Sequence, residues 1–357
     1  MELATDILIV VLKAAIAMGA LLHIAALTTW VERKGSALIQ DRIGANRASI
    51  FGFDLAGIFN TLVADPVKAI TKEDWLPKGT SQFMHSLAPF LAVFPVLMSF
   101  AAMPFGPDIT IAGKTISLQL ANLNAGLLYV FAMGSLAVYG VVLAGWVSNN
   151  KFALLGGLRA TAQMISYEVV MGLSIIGLLA VYGTVDLQQI VIYQGENFAA
   201  LPIPRWGIFL NPIGFILFFT AMMAETKRAP FDLPESESEL VAGYMTEYSG
   251  MKFLLFWLGE FAEIGVAAAM ITVLFFGGWQ LPWLDVASFG PILGGLVGAA
   301  VFGAKVLFFC VLQVIIRWTL PRFRYDQLMN LCWKGMLPIS LVNLMATVAV
   351  LIAINSK

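Results

Sequence analysis

Charge is the scarcest property of this chain. Asp, Glu, Lys and Arg make up 12% of its 357 residues, and 59% are hydrophobic; soluble domains carry about 25% charged residues. A mean hydropathy of +0.85 excludes a single soluble core. The net charge of −1 gives no basic excess, so nothing suggests nucleic acid as a partner. The two cysteines, Cys310 in an apolar run and Cys332 near a basic loop, have no CxxC spacing, which argues against a zinc site, an iron–sulfur cluster or a disulfide framework. GxGxxG after a strand-like run and GxxxxGK[ST] are both missing. Any redox chemistry involving this chain therefore needs nucleotide, flavin and clusters held by other chains. The opening MELATD is acidic, unlike the basic start of a cleaved signal peptide.

What is present is long uncharged runs, such as Leu118 to Val147 and Phe261 to Leu284, and about 20 apolar residues suffice to span a bilayer. Backbone in hydrocarbon must satisfy its own hydrogen bonds, so the spans are expected to be helices. The pattern predicts an all-α polytopic membrane protein, one integral membrane domain over 1–357, with spans at 6–30, 84–104, 120–146, 163–183, 207–225, 253–277, 293–316 and 335–354. Sixteen of the 21 Lys and Arg fall in the loops at about 31–83, 147–162, 226–252 and 317–334, whereas Lys114, Arg205 and Lys357 fall opposite. The positive-inside rule then puts those four loops in the cytoplasm and both termini outside.

Between the first two spans, Phe53, Leu55, Ile58, Phe59, Leu62, Val63, Val67 and Ile70 recur at helical spacing. An amphipathic helix bent at Pro66 is expected there, lying in the membrane interface as an anchor or as a portal. Gly290, Gly294 and Gly298 form a small-residue series suited to helix packing.

Several charges fall where charge is expensive. Glu168, Glu225, Glu260 and Glu263 lie in or at the ends of spans, with Lys13, His23 and Lys305; such residues mark ion pathways or paired sites. Lys13 alternatively snorkels outward, and His23 alternatively serves as a hydrogen-bonded interior residue. Glu260 and Glu263 are three apart, so they share a helix face. Two such carboxylates in low dielectric do not both ionise cheaply, which suits a proton path. The loop FDLPESESELVAG (231–243) gathers Asp232, Glu235, Glu237 and Glu239 without a Lys or Arg among them. It is a solvated acidic loop or, given the framing Phe231, Leu233, Leu240 and Val241, a loop folded back on the bundle. The spacing does not fit a calcium loop.

The run AETKRAPFDLPESESELVAGYMTEYSGMKF (224–253) closely resembles the signature loop of the family of H subunits of bacterial NADH–quinone oxidoreductase, respiratory complex I. VERKGSALIQDRIGANR (31–47), ADPVKAITKED (64–74), GWVSNNKFALLGGLRATAQMISYEV (145–169) and RWTLPRFRYDQLMNL (317–331) agree, so the resemblance covers essentially the whole chain. Ala45 departs from the proline usual in RIGPNR. The resemblance implies a multi-pass component of a bacterial inner membrane that forms most of a quinone tunnel, entered between the first span, the interfacial helix and the sixth span. It also implies an acidic proton path toward the antiporter-like subunits. It matches Glu168, Glu225, Asp232, Glu235, Glu237, Glu239, Glu247 and Glu260 to the proton path, which Glu263 joins by its place on the Glu260 face. Arg33, Arg42, Asp65, Phe231 and Arg317 are the expected tunnel lining.

No covalently bound cofactor is expected; quinone is the implied substrate, with NADH, FMN and iron–sulfur clusters on partner subunits. The implied partners are the peripheral-arm subunits carrying the terminal cluster and quinone-head site, other membrane-arm subunits, and lipid. Two alternatives stand beside this. The equivalent membrane component of an energy-converting hydrogenase would act without quinone. A stand-alone secondary transporter predicts inverted repeats and broken helices, neither of which the sequence displays.

Overall fold

The computed structural model describes residues 2–45, 57–111, 114–197, 203–234, 237–284 and 286–356. Helices dominate: α1 (Glu2–Ile39), α2 (Asp65–Thr71), α3 (Gln82–Ala101), α4 (Gly126–Val147), α5 (Lys151–Tyr182), α6 (Leu187–Gln194), α7 (Gly207–Leu210), α8 (Pro212–Glu225), α9 (Glu237–Leu240), α10 (Gly250–Phe275), α11 (Pro291–Thr319), α12 (Tyr325–Asn330) and α13 (Leu337–Asn355). One small antiparallel hairpin, β1 (Ile109–Ile111) with β2 (Lys114–Ile116), interrupts them. The chain is an all-α polytopic membrane protein, and among the described residues seven helical segments are long and apolar enough to cross a bilayer.

Hydropathy located the spans but misjudged several ends and one continuity. The fourth span begins at Lys151, 12 residues before the expected 163, because the Asn150 side chain caps it by accepting from the Phe152 N–H at 2.9 Å. The segment 147–162 is thus mostly the first turns of α5 rather than a loop. It stops at Gly183, whose φ of 70° suits a left-handed C-terminal cap. Likewise α1 runs on to Ile39, and the last span starts at Tyr325 and passes through a π-helical stretch, Leu331–Met336, before α13. Polar residues on helix that extends beyond the hydrocarbon explain these differences. The expected fifth span, 207–225, is broken. Pro212 opens α8, and Asn211 caps it by accepting from Gly214 N–H at 2.8 Å. The 14 residues of α8 rise about 21 Å, short of the ~30 Å hydrocarbon thickness.

Helix α10 is the centre of the bundle: it is almost wholly buried within the chain, whereas α1 and the last span are buried at few positions. It packs on α1, α3, α8 and α11. In the interfacial segment, a π-helical turn at Asn60–Ala64 leads into α2, with Pro66 in its first turn. This wide turn takes the place of the expected bend and lets the missing proline N–H be tolerated. The turn and α2 lie against α1 and α10, while Val67 and Ile70 stay exposed. Phe53 and Leu55 lie outside the described residues.

Candidate functional site

The segment after α8 is fixed by neutral contacts before any charge is considered. Gln163 of α5 donates from Nε2 to the carbonyls of Ala224 (2.8 Å) and Phe231 (2.9 Å), closing the loop onto the helix. Phe231 is buried, edge-on to Tyr167 and tilted against Phe323. The Phe323 N–H donates to Pro230 O at 3.1 Å, tying in the segment after α11. Farther along, Gly156 and Gly243 touch so closely that a Cβ on Gly156 would sit 2.7 Å from the Gly243 Cα. Small residues at this crossing bring the loop down onto α5.

Charged side chains then meet across helices. Glu32 near the end of α1 pairs with Arg317 in the last turn of α11 and lies 3.7 Å from Arg228. Arg228 also reaches Glu260 of α10 at 3.6 Å, and Tyr244 donates to the other Glu260 oxygen at 2.5 Å. Beside it, Lys227 pairs with Glu263 at 3.1 Å. Burial alone would lower the Lys227 pKa, but the Glu263 and Glu260 charges outweigh it and raise it above the ordinary lysine value. Asp232 is buried against Arg322 at 2.8 Å; burial raises its carboxyl pKa, opposed but not cancelled by Arg322 and Arg317.

Glu263 also lines a cavity of about 60 Å³ between α3, α4, α5, α8 and α10, which Glu168, Glu225, Ser135 and Thr226 share. That volume accommodates a few waters. The Ser135 hydroxyl donates to Glu168, whereas Glu225 Oε2 is buried without a hydrogen-bond partner among the described residues.

On the opposite flank, α1, the π turn, α2 and α10 enclose a mainly apolar cleft of about 310 Å³, lined among others by His23, Thr61, Asp65, Trp257 and Phe261. Arg33 donates to Asp65 at 2.5 Å and lies over the Trp257 ring, and Lys68 pairs with Asp65 at 3.0 Å. Burial pushes the Asp65 carboxyl up, but the hydrogen bonds and charges of Lys68 and Arg33 prevail and hold it below the usual carboxylate value.

The sequence-predicted residues therefore divide. Glu168, Glu225 and Glu263 share the cavity, Glu260 stands one turn away on α10, and Arg33 and Asp65 meet at the cleft. Arg317 joins Glu32 instead of the cleft, Phe231 is a core residue, and Arg42 is exposed with its Nε on Gln40. Glu247 accepts from Asn150 at 2.7 Å, and exposed Glu239 pairs with Arg159 at 2.6 Å. Asp232 and Glu239 thus have separate arginines. Glu235 lies outside the described residues; Glu237 opens α9, its side chain outside the description.

Glu260 and Glu263 lie one turn apart on α10 as their spacing predicts, and each also has a cation, Arg228 and Lys227 respectively. Sequence reasoning missed Glu32, Tyr244 and Ser135, and missed His85, which is buried, stacked on Tyr248 at 4.1 Å and 3.4 Å from Lys252. A histidine inside an apolar span was the available signal for the last. Lys13 reaches toward the Gln119 carbonyl, as snorkelling predicts, and Lys305 donates to three carbonyls past the end of α10.

The profile of the NADH dehydrogenase family matches residues 12–348. The H subunit of the NADH-quinone oxidoreductase of Protochlamydia amoebophila is 47% identical over 323 residues, 90% of this chain and 91% of that protein. A Geobacter metallireducens H subunit, the one numbered 1, is 44% identical over 344 residues, covering 96% and 97%. The Leptospira biflexa H subunit is 47% identical over 321 residues, covering 87% and 85%. Likeness at this level along nearly the full length means that the chain belongs to the H-subunit family of NADH–quinone oxidoreductase, a membrane component of complex I.

Proposed function

We propose that this chain forms the membrane part of a quinone tunnel and an acidic proton path that couples quinone reduction to proton translocation. The observation that carries this is a row of buried and half-buried charges that runs from Arg228, seated on the cleft-lining Phe261, to the cavity. Glu32, Arg317, Arg228, Glu260 and Tyr244 connect across α1, α11 and α10, and Lys227 and Glu263 continue to the cavity with Glu225 and Glu168. The cleft beside α1 and α2 has the apolar walls a quinone tail needs and one carboxylate in its lining, Asp65, paired with both Arg33 and Lys68.

Reduction of a quinone places transient negative charge at one end of such a row. A unit charge about 4 Å from a carboxylate changes its energy by about 4 kcal/mol at an effective dielectric of 20. Each carboxylate already balanced by a fixed cation resists that change, and an unpaired one answers it by taking up a proton. Among the described residues neither Glu225 nor Glu168 has an ion pair; Glu168 has the Ser135 hydroxyl, and Glu225 Oε2 has no hydrogen-bond partner. Proton uptake at Glu225 and release toward Glu168 would then follow the redox event.

The electrons come from partner subunits holding NADH, FMN and clusters, so the isolated chain has no turnover of its own. With α7 and α8 together making the eighth crossing, the basic loops face the cytoplasm and both termini the periplasm of a bacterial inner membrane.

The experiment is Glu168→Gln and Glu225→Gln, each introduced into the assembled complex in vesicles. Quinone reductase rate and proton pumping are measured, with content fixed by immunoblot and artificial-acceptor activity. Turnover and pumping should fall together, at least about tenfold, which corresponds to about 1.4 kcal/mol of barrier. Full pumping in both variants would remove the proton path.

A further inference from the structure

Lys227 is a buried lysine in a place where a lysine has every reason to turn outward. It follows α8 by two residues, at a chain end where a flexible stem ordinarily carries its ammonium to water. Instead its side chain is 3% exposed. Its backbone has a φ of 54°, a left-handed conformation costly for a residue with a Cβ. The result is an ammonium 3.3 Å and 3.1 Å from the two oxygens of Glu263. Glu260 and Glu225 also face that ammonium.

We propose that Lys227 is a positioning residue of the proton path: its ammonium keeps Glu263 ionised as the resident anion of the cavity, so that Glu225 is the carboxylate that takes up and releases the proton. This rests on the proton path proposed above and assigns the order of charges within it. The charged groups facing the pair are Glu260 and Arg228 around Glu263, and Glu263, Lys227 and Glu168 around Glu225. Glu260 has its own partners in Arg228 and Tyr244, and Glu168 has the Ser135 hydroxyl. Lys227 is thus committed to Glu263, and Glu225, in the same cavity, has no ion pair among the described residues and one oxygen without a hydrogen bond there.

In the step itself one proton enters the cavity and binds the Glu225 carboxylate, making it a neutral acid. It then leaves toward Glu168, regenerating the carboxylate. Lys227 and Glu263 keep their protonation states throughout. Without the ammonium, the cation still facing Glu263 is Arg228, which Glu32 and Glu260 already engage, and Glu263 captures a proton itself. The cavity is then occupied, and Glu225 no longer discharges into an ordered path.

The test uses Lys227→Met, Lys227→Arg, Glu263→Gln and the Lys227→Met/Glu263→Gln double variant, each in the assembled complex in vesicles. NADH:quinone turnover and pumping are followed from acid to alkaline pH, and content is normalised by artificial-acceptor activity. The Lys227→Met variant should show the acid limb of its rate–pH profile moved upward by about 1–3 pH units, the span over which a nearby opposite charge acts on a carboxylate. Turnover lost at neutral pH should return as the pH rises. Lys227→Arg should keep the wild-type profile, and the double variant should match Glu263→Gln alone.

A wild-type profile in Lys227→Met would overturn the inference, as would a double variant whose defects simply multiply. If Lys227→Met does not assemble, the double variant decides: restored assembly shows that Lys227 acts through Glu263, and failure of both refutes it. Normal pumping in Glu225→Gln would instead remove the path itself, which separates the two failures.

Discussion

The guanidinium carbon of Arg228 lies 4.1 Å from the centroid of the Phe261 ring, with Glu32 and Glu260 at 3.7 and 3.6 Å from its terminal nitrogens. One buried cation therefore holds α1 to α10 through two carboxylates and an aromatic face. Replacing it by methionine keeps much of the volume but leaves Glu260 without its arginine. Breaking a buried pair from one side costs about 3–5 kcal/mol, so Arg228→Met should sharply reduce complex content on immunoblots. Arg228→Lys, which keeps the charge but loses the planar fork, should assemble better and still unfold at a lower temperature. Equal content for wild type and Arg228→Met would contradict this role.

At the cleft, Asp65 makes a sharper statement about pH. Lys68 and Arg33 keep its folded value below the ordinary one despite burial. Its stabilising effect is therefore fully present above the unfolded value of about 3.9 and lost only as pH falls through the lower folded value. Between about pH 6 and 8 the carboxylate stays charged. Asp65→Asn should accordingly raise the quinone KM, by loosening α2 from Arg33, to the same extent at both ends of that window. A KM effect present at one end and missing at the other would show that Asp65 titrates there.

Sidedness is testable with single cysteines. Cys310 and Cys332 are buried, and replacing them removes background labelling. Ser81, Asn149 and Gln327 are exposed and lie on segments predicted to face the cytoplasm, whereas Ser117 and Glu196 lie opposite. Gln194, also in an outer segment, is unsuitable: it is fully buried, its Oε1 accepting from the Gly207 and Gly277 N–H groups. In right-side-out vesicles an impermeant maleimide should label cysteines at 117 and 196 and spare those at 81, 149 and 327. The reverse pattern would invert the topology.

The spans, their helical nature and the family were legible because hydropathy and the loop motifs are local properties of the chain. Helix ends were less so. Lys151 to Gln163 carries Lys151 and Arg159, and only the Asn150 cap shows that the helix has already begun. The break in the fifth span was written in Asn211–Pro212, a capping residue before a proline, but an apolar run on both sides masked it.

For the site, the carboxylates were identifiable singly and their pairings were not. The acids of 232–239 have no base among them in sequence, yet Arg322 from beyond α11 finds Asp232 and Arg159 from α5 finds Glu239. Partners supplied from 80 or 90 residues away leave no local trace. The same holds for Glu260 and Glu263, whose spacing announces repulsion but whose cations arrive from the preceding loop.

That division of the acidic loop leads to different expectations for Asp232 and Glu239. The Glu239–Arg159 pair is exposed, with 53% of the glutamate side chain open to solvent, and such pairs contribute about 0–1 kcal/mol. Glu239→Gln should leave turnover and pumping within about twofold of wild type, about 0.4 kcal/mol in barrier. Asp232 is buried beside Arg322, and its carboxyl holds a proton more tightly in the fold than in the unfolded chain. A raised carboxyl pKa contributes stability that is full below the unfolded value near 3.9 and lost as pH rises through the folded one. Asn mimics the neutral acid, so Asp232→Asn should gain thermal stability relative to wild type as pH increases from about 5 to 8. Its turnover should nevertheless fall, because the charge that answers Arg322 and Arg317 has gone. Melting curves at the two pH values, run beside quinone reductase rates on the same preparations, check both halves. A stability difference that is flat or shrinks with pH would mean that the buried carboxylate is no burden to the fold, and would place Asp232 with Glu239 as an ordinary surface acid.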